Sequence, residues 1–336
     1  MKALVFSAHD YDRDALTRAN NEFGHVLTFL ETRLDETTAP LAAGFEAVVV
    51  FVNDQLDAAT LRALAASGVR LLALRCAGLN NLDFAEAKRL GMVVVNVPVL
   101  LYAPHAVAEH VFALLLSLAR HIPRAYTRVR DRDFSLDGLV GMDVYGKTFG
   151  IVGLGRIGHV VASIAQGFGC KVIGYDPLAV EAAGRTDNGR VEMVPLGMLV
   201  KRADIISLHA PLTSKTRHMI GTNELLAMKP HAILINTSRG ALVDSKALVH
   251  ALKQGKLGGV GLDVYEQEEG VFYSDHSDDV LADDVLARLL TFPNMIVTSH
   301  MGFLTRDALR IMAETTIANL GAFAHGTPQN ELRSQR

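Results

Sequence analysis

Short apolar runs of strand-like composition recur along the chain, and a longer segment with helical periodicity separates most of these runs. This alternation is typical of βαβ units, in which parallel strands form one sheet covered by helices on both faces. No other feature constrains the fold as strongly, because the alternation excludes all-helical and purely antiparallel architectures. We therefore predict an α/β fold with doubly wound, Rossmann-like parallel sheets.

The strands fall into two series, and 336 residues are enough for two domains of this kind. A helix predicted over 305–324 has no strand after it, so we expect it to pack back onto the first domain. The predicted domains are residues 1–101 with 302–336, and residues 102–301. The first series comprises 3–6, 47–51, 71–74 and 93–95; the second comprises 149–152, 171–175, 205–208, 232–235, 259–262 and 295–298.

Composition narrows the range of partners. The formal net charge of −3 gives no electrostatic footprint for nucleic acid or an anionic membrane. Two cysteines are too few for a disulfide framework, and the 13 histidines show no metal-ligand spacing, so we predict no metal. The longest apolar stretches, such as 111–118, are far too short to span a membrane, and the N-terminus reads as a strand rather than a signal peptide. We expect a cytoplasmic protein.

A glycine-rich turn follows the predicted strand 149–152 and precedes a helical pattern. In this turn Gly153 permits the tight bend, Gly155 lets a pyrophosphate approach the backbone, and Gly158 lets the helix lie close to the strand. Asp176 ends the next strand, where a carboxylate accepts hydrogen bonds from ribose hydroxyls and repels a 2′-phosphate. This context predicts a dinucleotide site that takes NAD rather than NADP.

Three further predicted strands are followed by residues whose side chains suit the binding and reduction of a 2-keto acid. Arg239 offers a planar, permanently charged fork for a carboxylate. His300 offers a proton donor, because the ordinary pKa of a histidine side chain is near neutrality, and an acid from the segment 266–269 would orient it. Each residue alone also has a structural interpretation: a surface ion pair, a hydrogen-bonded structural histidine and a solvated acidic loop. Their joint position behind a nucleotide turn favours the functional interpretation.

With these residues the chain resembles the D-isomer-specific 2-hydroxyacid dehydrogenases. Within this family it most resembles the bacterial, NAD-dependent D-lactate branch. The resemblance extends over nearly the whole length, and the acidic insert 271–285 and the segment 131–136 favour the lactate branch. The matching motifs are 75–81, 107–110, the glycine-rich turn, 207–213, 228–230 and 236–244.

The resemblance implies two domains around a cleft, and NAD-dependent, reversible reduction of a small 2-keto acid, with pyruvate the expected substrate and D-lactate the product. It implies that Arg239 binds the substrate, that Glu268 partners the histidine and that His300 is the acid/base. Ala77, Gly78 and Tyr102 would bind the substrate as well. The implied cofactor-binding residues are Gly153, Gly155, Arg156, Ile157, Gly158, Asp176, His209, Ala210, Pro211, Thr216, Thr237, Ser238 and Asp263.

Two departures from the family pattern bear on the substrate. The segment from Pro98 to Pro104, predicted to be irregular, is two residues longer than in relatives, which leaves the reach of Tyr102 open. Met301 and Gly302 stand where the lactate branch often has glutamine and alanine. A different keto acid (phenylpyruvate, glyoxylate or hydroxypyruvate) is therefore an alternative, and a corepressor-like NAD(H)-sensing protein is an alternative of another class. An apolar helix predicted over 105–121 is expected at the interface of a homo-oligomer, a dimer or tetramer.

Overall fold

A computed structural model describes residues 1–177 and 191–332. The chain divides into two compact units, Met1–Ala103 with Phe303–Arg336, and Pro104–Gly302. We call them unit 1 and unit 2. The terminal helix Arg306–Ala324 belongs to unit 1, as predicted, and contacts the first helix of the chain.

Unit 1 is built on a parallel sheet with the strand order β2-β1-β3-β4-β5. Its core lies between the sheet and helices that include the terminal helix, whose Ile317 and Leu320 are fully buried. The strands are β1 (Lys2–Val5), β2 (Val26–Phe29), β3 (Ala47–Val50), β4 (Leu71–Leu74) and β5 (Val93–Asn96), and the helices are α1 (Asp10–Ala19), α2 (Ala58–Ala66) and α3 (Phe84–Arg89).

Unit 2 is built on a second parallel sheet, and a long helix, α4 (Val99–Ala119), leads into it from unit 1. Its strands are β6 (Thr148–Val152), β7 (Lys171–Tyr175), β8 (Glu192–Met193), β9 (Ile205–Leu208), β10 (Ile233–Asn236), β11 (Gly259–Leu262) and β12 (Met295–Val297). The further helices are α5 (Ile122–Arg130), α6 (Arg156–Gly167), α7 (Leu196–Arg202), α8 (Thr222–Ala227), α9 (Ser245–Lys253) and α10 (Asp284–Leu289).

The strand order of unit 2 is β12-β11-β10-β9-β6-β7-β8. The chain runs outward from β6 in one direction, through β7 and β8, and returns to add β9 on the other side. A topological switch point therefore lies between β6 and β9, and open α/β sheets bind ligands outside the carboxyl ends of their strands at such a point. The predicted fold class is confirmed.

Neighbouring residues of these strands point to opposite faces of the sheet, as the pleat requires. Ile206 and Leu234 belong to one buried cluster, while Ile205 and Ile233 belong to another. Both faces are covered, which explains why the strands read as continuous apolar runs rather than as an alternating pattern.

Two strands in the described part of the chain were not predicted. Strand β2 lies at the edge of the first sheet, and its residues alternate between exposed and half-buried, so no apolar run marks it. Strand β8 has only two residues and lies at the edge of the second sheet. Edge strands bury less apolar surface, which removes the pattern on which the prediction depends.

The segment between Pro98 and Pro104 is not irregular as predicted, because α4 begins at Val99 and contains Pro104. A proline inside a helix removes one backbone hydrogen bond, which is why the sequence predicts a helix only after Pro104. The division between the two units falls directly before this proline.

The sequence predicted no apolar stretch long enough to span a membrane. Helix α4 differs from this expectation, because its 21 residues are long and apolar enough to cross a membrane by length and composition alone. One side of it instead packs into the core of unit 2, where Val111 and Leu115 are fully buried. A buried core helix passes the same test of length and composition.

Candidate active site

The glycine-rich turn follows β6 at the switch point, and each of its three glycines has different surroundings. Gly153 has φ +95°, and a Cβ atom there would lie 2.7 Å from the backbone of His209 and Ala210. A Cβ atom on Gly158 would collide with the carbonyl oxygen of Gly153. At Gly155, in contrast, an added Cβ atom would meet nothing within 4 Å in the part of the chain that is described. The first and last glycines serve packing, while the middle one borders open space.

This open space suits a dinucleotide phosphate. Helix α6 starts with Gly155 as its N-cap, which has no side chain to bond the N–H groups of the first turn, Arg156 and Ile157 included. Such N–H groups together with the helix dipole form an anion site. The hydroxyl of Thr237, after β10, is buried and has no hydrogen-bond partner among residues 1–177 and 191–332. The uncapped N–H groups of α6 and the unbonded hydroxyl of Thr237 therefore suit the predicted binding of NAD.

Asp176 lies directly after β7, as predicted for the residue that binds the ribose. Its Oδ2 accepts a hydrogen bond from the N–H of Leu154 in the glycine-rich turn, at 2.8 Å. The carboxylate is thereby fixed beside the turn, which is the position that favours ribose hydroxyls over a 2′-phosphate.

The loops after β9 and β10 are tied together on the other side of the turn. The hydroxyl of Ser238 donates to the carbonyl of Ala210 at 2.8 Å. Thr216 donates to the carbonyl of Pro211 at 2.6 Å, which closes the loop after β9. His209 lies 2.8 Å from the Ser207 hydroxyl through its Nε2, and burial lowers the pKa of this imidazole to about 3. The imidazole is therefore neutral at physiological pH.

Arg239 lies in a turn that the surrounding backbone fixes tightly. The side-chain amide of Asn236 donates to the Arg239 carbonyl at 2.9 Å, and a Cβ atom on Gly240 would collide with the backbone of Tyr265. The guanidinium donates from Nη1 to the Ser238 carbonyl at 2.7 Å. Within the described ranges no carboxylate forms an ion pair with Arg239. The surface ion-pair interpretation of this arginine is therefore not supported, and its charge is available for an anionic ligand.

Glu268 and His300 form a hydrogen-bonded pair. Nδ1 of His300 lies 2.8 Å from Oε1 of Glu268, and both side chains are largely buried. The other carboxylate oxygen of Glu268 accepts from the N–H of Tyr265 at 3.0 Å. Among the described residues Nε2 of His300 has no hydrogen-bond partner. The carboxylate thus orients the ring, and Nε2 is left to exchange a proton with a ligand.

Asp263 was predicted to bind the cofactor, and the structure gives its carboxylate a further role. Its oxygens accept from the N–H groups of Met301 and Gly302 at 2.9 and 2.8 Å. Burial raises the pKa of Asp263, but hydrogen bonds from His110 and Thr298 outweigh burial, so the pKa is below its ordinary value. Asp263 is ionised at neutral pH and holds the backbone next to His300.

The predicted substrate residues Ala77, Gly78 and Tyr102 belong to unit 1. The first turn of α4 carries Tyr102, and its hydroxyl accepts a hydrogen bond from the N–H of Ala77 at 3.1 Å. Tyr102 therefore reaches one of the two backbone groups assigned to the substrate carboxylate, despite the two extra residues before it.

In unit 2 the residues predicted for catalysis follow three adjacent strands, β10, β11 and β12. Glu268 and His300 are in contact, whereas Arg239 bonds to neither of them. Sequence reasoning missed Tyr273, whose hydroxyl donates to the His300 carbonyl at 3.3 Å. Its ring centroid lies 6.0 Å from that of His300. The acidic insert 271–285 contains Tyr273, but in the sequence this insert indicates the family and assigns no role to the tyrosine.

Comparison with known proteins shows the family to which this chain belongs. A family model described as D-isomer specific 2-hydroxyacid dehydrogenase, NAD binding domain, matches residues 112–302. The D-lactate dehydrogenase kk1H of Curvularia clavata is 48% identical over 332 residues, which cover 98% of this chain and 94% of the relative. The D-lactate dehydrogenase of Escherichia coli K12 is 45% identical over 333 residues, which cover 99% of this chain and all of the relative.

The chain belongs to the D-isomer-specific 2-hydroxyacid dehydrogenases.

The structure of this dehydrogenase is similar to the solved structure of the pyruvate reductase of Chlamydomonas reinhardtii, with a TM-score of 0.88 and 41% identity, covering 98% of this chain and 97% of that chain. The family, the enzyme class and the cofactor NAD predicted from the sequence are confirmed. The protein is an NAD-dependent oxidoreductase that interconverts 2-keto and 2-hydroxy acids.

Proposed function

We propose that this dehydrogenase reduces pyruvate to D-lactate reversibly, with His300 as the acid/base, Glu268 as its partner and Arg239 as the carboxylate clamp. The observation that carries the proposal is the Glu268–His300 pair at 2.8 Å, with Nε2 of the imidazole unbonded in the described part of the chain. Relatives named D-lactate dehydrogenase and pyruvate reductase support pyruvate as the substrate.

The substrate carboxylate binds the guanidinium of Arg239, which has no ion-pair partner of its own in the described ranges. A guanidinium binds a carboxylate through two parallel hydrogen bonds, and this geometry fixes the rotation of the substrate. Ala77, Gly78 and Tyr102, which belong to unit 1, keep the role in substrate binding that the family resemblance implies.

When bound, NADH supplies the hydride for the substrate C2 carbonyl. As negative charge develops on the carbonyl oxygen, protonated His300 donates its Nε2 proton to that oxygen. Glu268 accepts from Nδ1 throughout, which holds the ring in one orientation. In oxidation the neutral imidazole takes the hydroxyl proton back.

The experiment that tests the proposal is a set of initial rates with NADH and NADPH on pyruvate, phenylpyruvate, glyoxylate and hydroxypyruvate, followed by chiral analysis of the product. We expect the highest kcat/KM with NADH and pyruvate, and D-lactate as the product. A higher kcat/KM on phenylpyruvate would transfer the proposal to a bulkier acid, in line with the substitution of Met301 and Gly302 beside His300. An L product would contradict the substrate geometry.

We also propose that the protein assembles as a homo-oligomer, but through a different surface from the one predicted. None of the large apolar residues of 105–121 is strongly exposed, because the core of unit 2 covers them, so the reason given for that helix is wrong. The segment 122–145 instead presents Phe134, Leu136 and Val140 to solvent, and Val140 is 88% exposed. Apolar residues concentrated in this way mark an interaction surface, and we assign it to a second copy of this chain.

A further inference from the structure

The imidazole of His110, on α4, lies against the carboxylate of Asp263 in a largely buried position. Nε2 of His110 is 3.2 Å from Oδ1 of Asp263 and 3.0 Å from the hydroxyl of Thr298. That hydroxyl donates to the same Asp263 oxygen at 2.5 Å. The side chains of His110 and Asp263 are 15% and 2% exposed. None of the functions described above uses His110.

The same carboxylate holds the chain around His300. Oδ1 of Asp263 also accepts from the N–H of Met301, and Oδ2 accepts from the N–H of Gly302. The Asp263 carbonyl accepts from the N–H of His300 at 2.6 Å. Three consecutive backbone N–H groups, from His300 to Gly302, are therefore bound to one residue.

These hydrogen bonds support a backbone conformation that is otherwise unfavourable. His300 has φ +55°, in the left-handed region that residues other than glycine rarely adopt. Such a conformation persists only where the surroundings determine it. A Cβ atom on Gly302 would lie 2.9 Å from Oδ2 of Asp263 and 3.5 Å from Cδ2 of His110, so the carboxylate and the imidazole pack directly against this turn.

The geometry points to His110 and Thr298 as positioning residues for the reaction: they orient the Asp263 carboxylate, which fixes the 300–302 turn and thereby the place of the His300 imidazole. This inference rests on the proposed role of His300. Glu268 sets the rotation of the ring, whereas the His110–Thr298–Asp263 assembly sets the backbone that carries it. Proton transfer requires both, since a displacement of about 1 Å at a catalytic group costs roughly 10²-fold in rate.

The test compares His110→Leu, which removes the donor, with His110→Gln, whose amide can donate to Asp263 again. We expect His110→Leu to lower kcat for pyruvate reduction roughly 10- to 100-fold, while KM for pyruvate and Kd for NADH, from fluorescence titration, stay within about twofold. We expect His110→Gln to restore most of kcat. His105→Leu, an exposed histidine on the same helix, is the matched control and keeps the wild-type kcat.

A second pair of variants keeps the inference testable if His110→Leu does not fold. Thr298→Val removes the hydroxyl that donates to Asp263 at nearly constant shape, and Thr298→Ser keeps it, so only the valine variant should lose kcat. A wild-type kcat in both His110→Leu and Thr298→Val would overturn the inference, as would equal losses in His110→Leu and His110→Gln. Parallel measurement of His300→Gln separates the two claims: if it loses kcat while His110→Leu does not, the inference fails and the proposed function stands.

Discussion

At the scale of single residues, the site depends on side chains whose protonation state the surroundings determine. The imidazole of His209, next to the glycine-rich turn, hydrogen-bonds with Ser207 and has a pKa of about 3 because it is buried. The ordinary pKa of histidine is about 6.5. Between these two values the unfolded chain binds a proton that the folded protein does not, so the free energy of unfolding falls as the pH falls.

We therefore expect His209 to reduce the free energy of unfolding by roughly 1–2 kcal/mol between pH 7 and pH 5. Urea unfolding at these two pH values would measure the loss in the wild type and in His209→Gln, in which the titrating group is absent and the loss should be smaller by that amount. His105→Gln serves as the control and should match the wild type. An equal loss in His209→Gln would show that this imidazole binds a proton as readily in the folded protein as in the unfolded chain.

Arg239 tests the binding of the substrate carboxylate. Arg239→Lys keeps the charge but loses the bidentate fork, so we expect KM for pyruvate to rise and kcat to fall. The expected loss in kcat/KM is at least about 10²-fold, which corresponds to about 2.7 kcal/mol of transition-state binding. Arg217→Lys, an exposed arginine paired with Glu266, is a control of the same chemistry. A wild-type kcat/KM in Arg239→Lys would remove the clamp from the mechanism.

Single residues were also the easiest part of the site to predict. Glycines after a strand and charged residues at strand ends stand out in a sequence, and the predicted Glu268–His300 contact is present. His110 and Tyr273 could not be assigned roles in the same way. Their partners, Asp263 and His300, are distant in sequence, and only the packing of α4 and of the acidic insert brings them together.

At the scale of elements, the segment from β6 through the glycine-rich turn to α6 contains two glycines whose surroundings are opposite. Gly155 borders open space and Gly158 packs against Gly153. We expect Gly155→Ala to leave the melting temperature unchanged while Kd for NADH rises at least roughly tenfold, because the added methyl group occupies the approach of the phosphates.

Gly158→Ala should have the opposite signature, a loss of roughly 1–3 kcal/mol of stability from overpacking against the Gly153 carbonyl. Gly167→Ala, at an open position near the end of α6, should lower neither stability nor NADH affinity. Thermal unfolding and fluorescence titration of the three variants separate the two roles. A large loss of stability in Gly155→Ala would show that this glycine serves packing instead.

Element boundaries were predictable where burial is high on both faces of a strand and not elsewhere. The predicted strands that became β6, β9 and β10 are almost entirely buried, and their apolar runs marked them. Strand β2 is half exposed, and α4 continues through Pro104. In both cases the tertiary environment overrides the local pattern, because the edge strand gains its hydrogen bonds from β1 and the helix gains its burial from the core of unit 2.

At the scale of the whole molecule, the exposed apolar segment 122–145 predicts self-association. We expect light scattering after gel filtration to give a multiple of the 36.3 kDa chain mass. The double variant Phe134→Ser with Leu136→Ser should shift the protein towards the monomer. Val280→Ser changes an equally exposed apolar residue outside the segment and should not. A monomeric wild type, or an unchanged mass in the double variant, would rule out this surface.

In the proposed reaction one imidazole, held by Glu268 and by the backbone around Asp263, exchanges the proton in both directions. The most direct measurement is kcat/KM against pH for pyruvate reduction and for D-lactate oxidation, in the wild type and in His300→Gln. Reduction consumes the imidazolium and should decline at high pH, while oxidation needs the neutral ring and should decline at low pH. His300→Gln should lose at least about 10²-fold in kcat together with both limbs. Limbs that run in the same direction, or that persist in His300→Gln, would contradict the account.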